Sequence, residues 1–125
     1  AGFTDGTPWL PVTANHVEIN VAAQVGDPAS VFEHYRSLIA LRHELEVVQQ
    51  GRFELLLGEH EQLFCFTRRL GDERLLVLAN WSSAPVALPS ELPSHADAEL
   101  LLGTHADPAD GVLAAWESRI YRLAE

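Results

Sequence analysis

From Gly51 onward the apolar residues recur at every second position or in short unbroken runs: RFELLL (52–57), QLFCFTRR (62–69), RLLVLANW (74–81), APVALP (84–89), AELLLG (98–103) and SRIYRLA (118–124). Runs of this length, rich in Leu, Val, Phe and Tyr and separated by Gly, Pro, Asp, Asn and Ser, predict β-strands, and their density predicts an all-β region. Gly71-Asp72 lies between two runs and predicts a tight hairpin; Asp110-Gly111, ahead of VLAAW, predicts a second. Consecutive strands are then expected to pair antiparallel. Alternation nominates Phe64, Phe66, Leu76, Leu78, Ile120 and Leu123 as side chains of a sandwich core. Pro85, Pro89 and Pro93 confine their stretch to a sheet edge or a loop.

Before Gly51 the period changes. In SVFEHYRSLIALRHE the apolar residues Val31, Phe32, Tyr35, Leu38, Ile39 and Leu41 follow helical spacing. Asp27 can cap this helix, with Pro28 at the first helical position, where a missing N–H costs nothing. The predicted helix starts at Asp27. Residues 1–26 are turn-rich, with Asp5-Gly6, Pro8 and Pro11, and the aromatics Phe3 and Trp9 follow neither period. They predict an ordered loop that needs something to lie on.

Length and composition narrow the reading. The 125 residues suit one domain, and no apolar run approaches the ~20 residues a membrane-spanning helix needs. Eighteen acidic residues against eight basic ones, all Arg, give a formal charge of −10. That balance repels phosphate backbones and anionic membranes, so neither nucleic acid nor membrane is an expected partner. The single Cys65 cannot form an internal disulfide and suits a reducing compartment. No methionine is present, which predicts an excised or processed piece of a longer protein.

The residue types that carry chemistry are sparse. His34 and His43 are nine positions apart and cannot form a helical metal pair. There is no Gly-rich phosphate loop, no pair of cysteine ligands and no His-Glu-x-x-His, so no cofactor or metal is expected. Ser82 and Ser83 follow a strand without the glycine-flanked elbow of a nucleophilic serine. Arg68, Arg69 and Arg74 flank the first hairpin beside Asp72 and Glu73 and read as a solvated tip. No two carboxylates are singled out as an acid–base pair.

Longer strings carry more. AGFTDGTPWLPV, EINVAAQVGDPASVFEHYRSLIALR, RLLVLANWS and SRIYRLAE occur in this order, and together they resemble the α-amylase superfamily in the branch of oligo-1,6-glucosidase, α-glucosidase and trehalose-6-phosphate hydrolase. The resemblance is specific over residues 1–42 and diffuse beyond. It implies a mainly β fold with one α-helix: residues 1–26 as the last loop of a (β/α)8 barrel, 27–46 as its last helix, and 51–125 as a C-terminal antiparallel β-sandwich. HELEVVQQG lacks the proline that many relatives place after the helix, which leaves the helix end open.

The family's retaining mechanism uses an aspartate nucleophile and a glutamate acid/base on upstream barrel strands. The resemblance therefore assigns no catalytic residue to this chain, which alone should hydrolyse nothing. It puts Phe3 and Trp9 nearest the substrate, as lining of the pocket rim or as packing against the barrel. It further implies the barrel of the same parent chain as partner, an α-glucoside as the parent's substrate, no cofactor, and a cytoplasmic enzyme. The β-domain then acts as a structural cap.

Two other roles differ in class. The β-domain could stack sugars on Trp81 or Trp116, although both end strand-like runs, where core packing is the expectation. Pro8-Trp9-Leu10-Pro11 could serve as a proline-rich ligand, without the flanking basic residues that usually accompany one. In the barrel arrangement the stripe Val31, Tyr35, Leu38 and Ile39 packs on barrel strands, so the chain alone is expected to self-associate or to leave its N-terminal loop unsupported.

Overall fold

The computed structural model describes residues 4–124, in two compact units, Ala1–Ser37 and Leu38–Glu125. In the first, a short helix α1 (Val21–Gln24) is opened by Asn20, whose side-chain oxygen accepts the Ala23 N–H. The long helix α2 (Val31–Glu44) is the one the periodicity predicts, but it starts later than expected. Asp27 caps only the preceding turn, accepting the Ala29 N–H at 3.0 Å. The cap of α2 is Ser30, whose hydroxyl accepts the Glu33 N–H at 3.2 Å. The Glu33 carboxylate in turn takes the Gly26 N–H at 2.9 Å, so a Ser-x-x-Glu pair outcompetes the Asp-Pro start. Val31, Tyr35 and Ile39 are exposed along this helix.

The chain leaves helical geometry at Leu45 and re-enters it for α3 (Glu46–Gln50), which settles the open helix end: two short helices flank α2. Gly51 ends α3 with its N–H on the Val47 carbonyl. A Cβ at this position would sit 2.3 Å from that carbonyl oxygen, which belongs to the backbone and cannot swing aside. Gly51→Ala should therefore destabilise the unit by roughly 1–3 kcal/mol, seen as a lower denaturant midpoint.

Seven strands follow: β1 (Arg52–Leu56), β2 (Leu63–Leu70), β3 (Glu73–Asn80), β4 (Val86–Ala87), β5 (Glu99–Gly103), β6 (Val112–Leu113) and β7 (Ser118–Leu123). Five form one antiparallel sheet in the order β1-β2-β3-β7-β5; β4 and β6 form a separate two-stranded ribbon. The first hairpin is as predicted, with Gly71 at a φ of +57° between the paired Leu70 and Glu73. The Asp110-Gly111 turn also forms, with Gly111 at +67°, but the strand it feeds pairs with β4 rather than with its predecessor β5. Nearest-neighbour pairing thus holds for β1 to β3 and fails afterwards, because β7 takes the place beside β3.

The core lies between the ribbon and one face of the large sheet. It comprises Leu63, Cys65, Leu76, Leu78, Tyr121 and Leu123 from the sheet, with Val86, Leu92 and Leu113 from the opposite layer. Of the nominated core set, Leu76, Leu78 and Leu123 are there; Phe64, Phe66 and Ile120 are on the opposite face. The correction follows from register: Cys65 pairs with Leu78 and Phe66 with Val77, so the phenylalanines are out of phase with the core leucines. The run LFCFT is apolar on both faces, and size pointed to the wrong one.

That second face is apolar and largely open. Phe53, Leu55 and Phe64 are exposed on it, and the Phe66 ring lies 5.0 Å from Phe53 and 5.5 Å from Phe64. Only one end is covered by α3, where Val47 is fully buried and the Arg68 guanidinium donates to the Val47 and Gly51 carbonyls at 3.2 and 2.8 Å.

Candidate functional site

Of the two residues that the resemblance placed near substrate, Phe3 lies outside the described residues and Trp9 projects into solvent, 90% exposed. No group of three metal-ligating side chains comes together among the described residues. The polar organisation is instead in the β unit, at the ends of β3 and β7. The alternation of SRIYRL puts Arg119 in phase with Tyr121 and Leu123, and that of LLVLAN puts Asn80 in phase with Leu76 and Leu78, so both polar side chains are carried inward.

Each is fully partnered. The Arg119 Nε donates to Glu117 Oε1 at 2.6 Å, with side chains only 3% and 2% exposed. Its Nη1 donates to the Ala109 carbonyl at 2.8 Å and its Nη2 to that of Val112 at 2.7 Å. Glu117 Oε2 accepts the Ala114 N–H at 2.6 Å. The Asn80 amide donates to the carbonyls of Ala84 and Ala114 at 2.7 and 2.8 Å, while its oxygen accepts from the Ser82 N–H and hydroxyl. No buried side-chain polar atom among the described residues lacks a partner. These residues were missed in sequence because a charge inside a strand reads as solvent-facing; the available signal was their phase.

Burial pushes the Glu117 carboxyl up, but the hydrogen bonds from Arg119 and the Ala114 N–H, with the nearby guanidinium charge, outweigh it and hold the group below the usual glutamate range. A depressed native value gives stability that is present above the unfolded value, about pH 4.3, and lost as pH falls through the native one. Urea midpoints should therefore drop steeply below about pH 4, and Glu117→Gln should flatten that dependence. Burial raises the Cys65 thiol, partly offset by a backbone hydrogen bond from Ala79. Cys65 should react with a thiol reagent only after unfolding, which a timed labelling measurement will read.

Among the clefts on this unit, two are lined by aromatic or imidazole rings. One of about 570 Å³ lies among segments 88–98 and 108–111, floored by Tyr121 and Arg119, with the His95 ring 5.2 Å from Tyr121. The guanidinium at its base is already directed to its own partners. The other, about 410 Å³, is lined by Leu55, Leu57, His60, Phe64 and Trp81. Trp81 is 66% exposed and Trp116 62%, contrary to the expected core packing. Each is thrown outward because its neighbour, Asn80 or Glu117, takes the inward position.

The same segments recur in characterised proteins. The model described as "Alpha amylase, catalytic domain" matches residues 1–51, and the "Domain of unknown function (DUF3459)" matches residues 56–120. An oligo-1,6-glucosidase of Heyndrickxia coagulans is 44% identical over 98% of this chain and 22% of its own length. The trehalose-6-phosphate hydrolase of Bacillus subtilis is 38% identical over 99% of the chain and 23% of its own length. The crystal structure of Bacillus licheniformis trehalose-6-phosphate hydrolase superposes with a TM-score of 0.84 at 34% identity, covering 99% of this chain and 24% of that one. The chain thus spans less than a quarter of the curated relatives it matches. A catalytic-domain end that runs into a DUF3459 β-domain, in one chain and in the order seen in these enzymes, makes this chain a member of the α-amylase superfamily.

Proposed function

We propose that this chain is the C-terminal part of an α-glucosidase-type hydrolase that cleaves α-glucosidic bonds with retention. Residues 1–26 contribute a loop of the barrel, with Phe3 and Trp9 at the rim of the substrate pocket. Residues 27–46, whose helix α2 carries an exposed apolar stripe, supply its last helix, and residues 51–125 form a β-domain that caps the barrel. The observation that carries the reading is the junction of the two family matches near Gly51, with catalytic-domain sequence before it and DUF3459 sequence after it. The open Phe53, Leu55 and Phe64 face of the sheet supports the cap, because a surface of that kind is unfavourable in water unless something lies on it.

The parent polypeptide should release glucose from maltose, isomaltose or trehalose 6-phosphate with retained anomeric configuration, and the 125-residue chain should release none. Turnover by the chain alone, or inversion by the parent, would overturn the assignment. The chain alone should also sediment as a concentration-dependent oligomer through Val31, Tyr35 and Ile39, and Ile39→Glu should shift it toward monomer. No helix of the described residues is long and apolar enough to cross a membrane, and the buried, unpaired Cys65 supports a cytoplasmic setting for the parent.

A further inference from the structure

We infer that Trp81 and Trp116 are the anchors by which the β-domain grips the catalytic barrel of the same polypeptide. The inference rests on the reading of this domain as a cap and names the side chains that hold it in place. A single exposed tryptophan needs no explanation, but these two stand on neighbouring backbone segments above a built support. The Trp81 N–H donates to the Gln62 carbonyl at 2.8 Å, and the Trp116 N–H donates at 3.1 Å to the carbonyl of Ser82, the residue after Trp81, which brings the two backbone segments together. Beneath them the buried Asn80 amide clasps the Ala84 and Ala114 carbonyls, and the buried Glu117 carboxylate holds the Ala114 N–H.

Trp116 itself stands at a φ of +59°, a conformation that is unfavourable for a bulky residue and persists only where the surroundings impose it. A strained backbone and a satisfied buried network both fix the backbone positions from which the indole rings project outward. Rigid aromatic side chains at fixed positions are what interface hot spots are made of.

The surroundings select the occupant. The groove beside Trp81 is shared with Leu55 and Phe64, so the tryptophan is continuous with the open phenylalanine face of the sheet. Of the polar groups in the groove, the Gln62 amide is engaged with the Ser82 hydroxyl and His60 Nδ1 with the N–H groups of Gln62 and Leu63, which leaves Glu61 as its exposed polar side chain. A protein surface with apolar side chains suits this patch better than a polyhydroxylated ligand does. The relatives carry the matching segment as a minor share of one longer chain, and the barrel of that chain is the protein surface at hand.

The test uses the parent polypeptide with Trp81→Ala, Trp116→Ala and Trp116→Gly, read by limited proteolysis of the 45–52 segment and by hydroxyl-radical footprinting of the indoles. Each substitution should raise the cleavage rate about tenfold or more, because loss of a hot-spot ring shifts docking by at least that factor. Trp116→Gly is the informative variant: it relieves the left-handed backbone, so a role confined to the β-domain predicts unchanged or slower cleavage. Both rings should be protected in the unliganded parent at all protein concentrations. Free oxidation with unchanged cleavage overturns the inference, as does protection that appears only with added maltose, which marks a sugar platform, or only at high concentration, which marks a second copy. Phe53→Ala and Phe64→Ala keep the two readings apart. If they loosen the junction and the tryptophan variants do not, the cap stands without these anchors; if none does, the cap itself falls.

Discussion

Replacing Arg119 by alanine should remove about 3–5 kcal/mol of stability from the β unit, a large share of the roughly 5–15 kcal/mol that a folded domain has. The truncation leaves Glu117 buried and charged with one hydrogen bond from the backbone, and it also strips the Ala109 and Val112 carbonyls of their donors. An exposed ion pair would not behave this way: the Arg36–Glu33 pair on α2, 3.5 Å apart with Arg36 largely in solvent, should contribute about 0.5 kcal/mol or less. The two variants can be compared in one set of urea melts. A double replacement, Arg119→Met with Glu117→Leu, should recover much of the loss, because an apolar pair of similar size leaves no orphaned charge. Equal destabilisation by the single and double variants would show that the bonds to the carbonyls, rather than the ion pair, dominate.

Leu76→Ala should cost about 2–5 kcal/mol, whereas Phe64→Ala should cost under about 1 kcal/mol in this chain. Leu76 is fully buried on the central strand between the sheet and the ribbon, and its loss opens a cavity that the neighbouring backbone cannot close. Phe64, 42% exposed on the outer face, surrenders only part of its apolar contact. Phe66 sits between the two and should give an intermediate value. The same three substitutions in the parent polypeptide should reorder the series: Phe64→Ala becomes costly if the barrel covers that face and stays mild if it does not.

The contrast between Leu76 and Phe64 also marks where the sequence stopped being informative. Element type was legible: strand periodicity after Gly51, helical spacing from Val31 and the Gly71 hairpin all appear where the pattern puts them. The faces were not, because alternation fixes which residues share a side without saying which side is inner when both are apolar. The tryptophans failed for the same reason. Each ends an apolar run and reads as core, yet Asn80 and Glu117 hold the inward positions because each finds a full set of partners there. The Asn80 partners Ala84 and Ala114 lie on separate loops that no local pattern brings together. The family strings located the chain within a larger architecture; of the two residues that the resemblance implies near substrate, Phe3 lies outside the described residues and Trp9 stands in solvent.

The place of β7 in the sheet has a consequence for how the unit is made. It lies between β3 and β5, so the central pairing of the sheet joins residues 74–79 to residues 118–123, partners 39 to 49 positions apart. During synthesis the β1–β2–β3 meander can form early, but its inner edge stays open, and β5 has no neighbour, until Ser118–Leu123 have emerged. A chain without these six residues would leave β3, one of the most apolar strands of the sheet, as an unprotected edge, and it would be a substrate for aggregation or degradation. The fold in this way makes arrival of β7 a condition for stability.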